Sequence, residues 1–171
     1  MIFEFNGHTP KIGNNVFIAP PAVIIGNVDI QNNASIWYGT VLRADLAGIT
    51  IGESSNIQDN CTLHSDLGKP VVIGSHVSVG HNAVIHAATI EDYCLIGIHA
   101  VVLTDAVIKT GSVVAAGAVV RQRQVIGPYH LVTGVPAAMK KTLPLESLEK
   151  RRQTADNYIR MAQFHTTLKP S

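Results

Sequence analysis

A period of six governs most of this chain. Counted from Ile12, every sixth residue is aliphatic through Ile18, Ile24, Ile30, Ile36 and Leu42. The count resumes at Ile51, Ile57 and Leu63, and again at Ile73, Val79 and Ile85. A last run takes in Ile90, Ile96, Val102, Ile108, Val114 and Val120. Four positions after each comes a small or modest residue, among them Val16, Ala22, Ala34, Cys61, Ala83, Cys94, Ala106 and Ala118. Such a period matches neither the 3.6 of an α-helix nor the alternation of a half-exposed strand. It fits a solenoid in which each hexapeptide is one short strand and a corner, three making a triangular turn of about 18 residues. The expected fold is therefore all-β, a parallel β-helix of about six turns over residues 12–126.

The phase breaks at 44–50 and at 65–70, and both segments are expected to leave the prism as loops, where function is often carried. Residues 1–11 lack the repeat and are expected to cap the first coil, whose open edge must be covered. From Gly127-Pro128-Tyr129 to Gly134-Val135-Pro136-Ala137 the chain reads as an extended exit, 127–144. A helix is expected over 145–164, with Pro144 at its start. Its apolar stripe of Leu145, Leu148, Ala155, Ile159 and Ala162 should lie along a prism face. The whole is read as one domain, 1–171.

Charge narrows the function classes. A formal net charge of +1 without a basic run argues against nucleic acid or a membrane surface as partner. No apolar run approaches the ~20 residues needed to span a bilayer. The start Met1-Ile2-Phe3-Glu4 lacks the charged and apolar regions of a signal peptide. Cys61 and Cys94 both take the small inward position of their hexapeptides, which suits buried thiols and a reducing, cytoplasmic setting.

The period also sorts the eight histidines. His8, His130 and His165 fall outside the repeat and are expected to be solvated. His76 and His99 are each the fourth residue of a hexapeptide and are expected at the surface. His64 follows Leu63 and His86 follows Ile85, so the two occupy equivalent places one coil apart, with backbones ~4.8 Å from each other. Two outward imidazoles so placed can converge on one metal ion. The same arithmetic puts Arg43 one coil below His64. His81 belongs to a different face, with Gln58 and Asp59 one coil beneath it. In a threefold trimer the His81 ridge of one chain can face the His64/His86 ridge of the next. Three ordinary surface histidines remain the competing interpretation of the counts alone.

Three stretches resemble the γ-class carbonic anhydrase family: Arg43-Ala44-Asp45, then Asn56-Ile57-Gln58-Asp59-Asn60-Cys61-Thr62-Leu63-His64, then Gly80-His81-Asn82-Ala83-Val84-Ile85-His86. The likeness continues into the Gly134-Val135-Pro136-Ala137 exit and covers most of the chain. It implies a left-handed β-helix, against the usual right-handed crossover, and a homotrimer. It further implies that His64, His81 and His86 bind the metal, His81 from the adjacent subunit. Three imidazoles suit Zn²⁺, with Fe²⁺ and Co²⁺ as alternatives. Water at the open position is acidified towards neutrality and its hydroxide attacks CO₂ to give bicarbonate. Gln58 resembles the residue that orients the hydroxide, and Arg43 and Asp45 the paired charges that shape the site. Asn56 matches a position beside Gln58, and Tyr158 the aromatic lent by the C-terminal helix. Two places depart from the best-studied branch. Leu46 stands where that branch has a glutamate, and the loop Ser65-Asp66-Leu67-Gly68-Lys69-Pro70 lacks its proton-shuttling glutamate. Slow turnover is therefore expected. Three alternatives stay open: a metal-dependent relative acting on a thioester or other small acyl substrate, a CoA-dependent hexapeptide acyltransferase, and a non-catalytic prism. A plain acyltransferase needs one basic histidine, not three that converge.

Overall fold

In the computed structural model, which describes residues 1–169, each short strand pairs in parallel with the strand one turn later. Ile12 lies beside Ile30, Ile18 beside Ile36 and Ile24 beside Leu42. Three columns of aliphatic side chains thus rise together, here named the Leu63, Ile73 and Val79 faces. Ile24, Ile57, Leu63, Ile85 and Ile108 keep no exposed surface. Burying one such side chain stabilises the fold by about 1.5–3 kcal/mol, and the columns repeat that gain level after level. The small residue four places on is equally buried, with Ala22, Cys61, Ala83 and Ala106 at zero exposure. The solenoid makes about seven turns. The Val79 face extends beyond the readable period because His130–Thr133 pairs in parallel with Val113–Val114.

Corners form at the fourth residue of the hexapeptide. Asn33, Asn60, His76, Asn82, His99 and Asp105 all have φ between 56° and 60°, the left-handed conformation that Asn and Asp tolerate better than most. His76 and His99 are corner residues, His76 half-buried against Tyr93 and His99 exposed.

The first phase break is not the loop expected. Residues 44–50 stay inside one long strand, Val41–Ile51, which turns the corner paired with Val23–Ile30. The extra residues are absorbed as a bulge between the pairs Gly26–Ala44 and Val28–Ile49. Gly26 has φ +79°, and a side chain there would meet the Ala44 carbonyl. The second break does leave the prism, as a tight turn closed by an Asp66–Lys69 bridge. At the N-terminus Ile2-Phe3 pairs with Ile24-Ile25 and covers the first edge.

At the far end Ala138–Thr142 returns antiparallel on His130–Thr133 and closes the sheet. The helix Ser147–His165 then runs back along the Val79 face, over strands Ser35–Ile36 and Ser78–Val79. Its buried stripe is Arg151, Ala155 and Ala162, whereas Leu145, placed in the stripe by hydropathy, lies before the helix and is 62% exposed. Arg151 is buried because its guanidinium donates to the Gly111 carbonyl at 2.8 Å and to the Ser147 carbonyl at 2.5 Å. His165 also departs from expectation. It is half-buried, its ring edge-on to Trp37 with centroids 4.8 Å apart, and its Nδ1 shares a 2.9 Å hydrogen bond with the Tyr38 hydroxyl. His130 is half-buried as well, and His8 is exposed. Among the described residues no helix is long and apolar enough to cross a membrane.

Candidate metal centre

Parallel pairing puts Arg43, His64 and His86 in register on the Leu63 face, Arg43 beside His64 and His64 beside His86. The two imidazole rings stand 5.2 Å apart, centroid to centroid. The bulge in Val41–Ile51 brings Asp45 back onto this ridge. Its Oδ1 lies 3.0 Å from His64 Nε2, and its Oδ2 accepts from Arg43 Nη1 at 2.5 Å. Burial pulls the Asp45 carboxyl upward, but the bonds from Arg43 and His64 outweigh it and hold the group below the usual carboxylate value. A second tie fixes the bulge. The fully buried Ser65 hydroxyl donates to the Ala47 carbonyl at 2.8 Å and accepts from the Ala47 amide at 3.0 Å. The two phase breaks therefore meet beside His64.

His86 is anchored from above, its Nδ1 2.9 Å from the Thr104 hydroxyl. On the other ridge His81 is anchored from below, its Nδ1 2.9 Å from Asp59 Oδ2. A carboxylate only accepts, so His81 carries its proton on Nδ1 and keeps its lone pair on Nε2. The Thr104 hydroxyl, able to donate or accept, engages Nδ1 of His86 and leaves the Nε2 position without a hydrogen-bond partner among the described residues. Each of the three rings thus has one nitrogen tied to an oxygen and the other available, the arrangement that metal-ligating histidines adopt. His81 does not join His64 and His86 within one chain. Among the described residues no group of three His, Cys, Asp or Glu side chains gathers closely enough to hold a metal.

Asn56 and Gln58, both buried, form a chain with Ser78. Gln58 Nε2 donates to Asn56 Oδ1 at 3.0 Å, and Asn56 Nδ2 donates to Ser78 Oγ at 2.9 Å. Gln58 also lines an apolar groove of about 310 Å³, bounded by Leu95, Ile98, Ala116 and, from the helix, Thr154. Tyr158 is half-buried with its ring edge-on to Trp37 at 5.4 Å. Burial, with the Asp59 charge adding to it, raises its phenol above the ordinary value. Thr104, Ser65 and Ser78 were not singled out from the sequence. Thr104 was within reach, since it follows His86 by 18 residues, one full turn.

A family model, bacterial transferase hexapeptide (six repeats), matches residues 9–44 and 87–122, which bears out the left-handed parallel β-helix. The chain is 47% identical over 152 residues to a protein of Methanocaldococcus jannaschii named probable carbonic anhydrase, covering 89% of this chain and 96% of that one. It is 41% identical over 165 residues to gamma carbonic anhydrase 2, mitochondrial, of Arabidopsis thaliana, covering 93% of this chain but 59% of the plant protein. The chain thus spans less than two thirds of that plant relative. Among solved structures, a Bacillus cereus protein described as a putative acetyltransferase is 33% identical with a TM-score of 0.95, over 99% of this chain and 98% of that one.

Proposed function

Because this chain belongs to the γ-class carbonic anhydrase family of hexapeptide-repeat proteins, we propose that it is a metal-dependent hydratase interconverting CO₂ and bicarbonate. The observation that carries this reading is the paired ridge. His64 and His86 stand in register with rings 5.2 Å apart, and the anchored rings of His86 and His81 keep Nε2 free. His64, His81 and His86 would hold the ion. Zn²⁺, Fe²⁺ and Co²⁺ all suit three imidazoles, and zinc is the first choice. A bound divalent ion supplies a water acidified to near neutrality.

The remaining roles belong to side chains. Gln58, tied to Asn56, presents the rest of its amide to the reacting oxygen and fixes its direction. Arg43 uses one nitrogen on Asp45 and keeps further N–H groups for the bicarbonate anion. Tyr158 holds the helix over Trp37 on the Val79 face. In a homotrimer a neighbouring copy would bring His81 to the pair, which one chain leaves apart. An unpartnered apolar column supports this. Val41, Val84, Val101 and Val119 point outward on the Leu63 face around Thr62, in register beside the two histidines, and Val84 is 37% exposed. Such a stripe next to a half-built site is the mark of a subunit contact. The free, buried Cys61 and Cys94 suit a reducing, cytoplasmic setting.

The test is CO₂ hydration by stopped flow on protein purified anaerobically with Zn²⁺ or Fe²⁺, with light scattering alongside. Hydration by a trimer that loses its metal on dissociation is the expected outcome. A metal-loaded monomer would refute the shared site. The apolar groove ending at Gln58 favours a second reading, in which the same centre hydrolyses a short thioester. Thioester turnover without CO₂ hydration would select it.

A further inference from the structure

Hydrating CO₂ yields bicarbonate and one proton, and that proton must leave the site. Both ionisable side chains of the short loop are hydrogen-bonded elsewhere. Asp66 Oδ1 accepts from the Leu67 amide at 2.8 Å, and Lys69 is paired with Asp105 at 2.5 Å. A different segment reaches the site instead. Phe5 and His8 exchange backbone hydrogen bonds of 3.1 and 3.0 Å around Asn6 and Gly7, whose φ values are 51° and 77°. This is the tight two-residue turn that Asn-Gly favours, and it fixes where His8 stands. The hairpin sits on the bulge, with Phe5 Cβ 3.4 Å from where a Gly26 side chain would begin. Between hairpin and bulge lies a cavity of about 150 Å³, lined by Phe5, His8, Asn27, Asp45, Leu46 and Ala47 among others. That is room enough for water. His8 and Asp45 are the titratable side chains on its wall.

We propose that His8 is the proton acceptor of the hydration reaction, reached from the His64–Asp45 edge of the site through water held in this cavity. Asp45 spends one lone pair on His64 and one on Arg43. A carboxylate has about four such acceptor sites, so the rest can order the cavity water. The proton passes along that water to an imidazole nitrogen and from the exposed ring to buffer. A neutral imidazole offers a lone pair on one nitrogen and an N–H on the other, so it can take up one proton and pass one on.

This inference rests on the hydratase reading, and ¹⁸O exchange separates the two. Exchange of label between CO₂ and bicarbonate needs no net proton transfer, whereas release of label into water does. In dilute, bulky buffer His8→Ala should retain the first rate and its metal. The second rate should fall by about tenfold or more, and added imidazole should restore it. An unchanged second rate in His8→Ala, or loss of both rates together with the metal, overturns the relay. A wild type with no CO₂–bicarbonate exchange refutes the hydratase reading itself. An independent readout is the position of the His8 ring signals at fixed pH, followed by NMR on ¹³C-histidine-labelled protein. Asp45→Asn alters the facing wall of the cavity and should displace the His8 signals while those of the corner residue His99 stay in place. Unmoved His8 signals would mean that the cavity does not couple the two side chains.

Discussion

Replacing Thr104 by valine isolates the anchor above one metal-binding ring. Valine keeps the shape and removes only the hydroxyl, so core packing is nearly conserved at a position 8% exposed. The lost contact is the 2.9 Å bond to His86 Nδ1. With a metal on Nε2, the Nδ1 proton has nowhere to go and faces the valine methyl. Without metal, the ring can shift its proton to the other nitrogen or turn, so the cost falls mainly on the loaded form. A buried donor left unpaired costs about 1–3 kcal/mol, which at 1.4 kcal/mol per decade is roughly 5- to 150-fold in affinity. Loss of an outer partner of a metal-ligating histidine typically costs 10–100-fold, within the same range. Chelator competition for Zn²⁺ measures it directly. Thr104→Ser, which retains the hydroxyl, should bind within a few-fold of wild type. If valine binds as tightly as threonine, or serine as weakly as valine, the Thr104 bond does not orient His86.

Three further outcomes follow from the same geometry. His64→Ala, His81→Ala and His86→Ala should each strongly reduce bound metal, while His76→Ala and His99→Ala, both at corners, should leave it near wild type; elemental analysis of the five decides whether the faces are assigned correctly. Gln58→Ala should keep its metal and lose hydration activity, since it removes an orienting hydrogen bond and no ligand; lost metal would contradict that role. Burial pushes both Cys61 and Cys94 up to about 12, so neither should react with a thiol reagent at pH 8 until the chain unfolds. A folded-state value above the unfolded one, about 8.5, leaves stability intact below that pH and erodes it as the pH climbs towards 12, which alkaline denaturation curves would reveal.

The period made the scaffold legible because a six-residue repeat fixes register as well as fold. The pairing of Arg43, His64 and His86 needed only the count and the lengths of the two insertions, at 44–50 and at 65–70. One signal in the same count went unused. Asn, Gly and Asp recur at the fourth position, and these are the residues that accept the left-handed corner seen at Asn33, Asn60 and Asn82. The helix register was hidden for a different reason. Hydropathy treats Arg151 as solvent-facing and Leu145 as buried, but a guanidinium that finds two carbonyl acceptors can lie inside, while a leucine ahead of the first turn has nothing to pack on.

Where the period fails, the count reports only that residues are in excess, not what becomes of them. At 65–70 they leave the sheet; at 44–50 they remain hydrogen-bonded, because a strand already turning a corner takes up extra residues as a bulge. That difference decides the chemistry. A loop at 44–50 would have carried Asp45 away from the ridge, whereas a bulge holds its carboxylate 3.0 Å from His64 and opens the cavity beneath the Phe5–His8 hairpin. Ser65 locks the arrangement by bonding to Ala47, one irregular segment clamping the other. A regular hexapeptide prism offers equivalent ridges on every coil and no reason to prefer one. Both interruptions fall beside the same histidine, and they are what turn a repeated ridge into a single site.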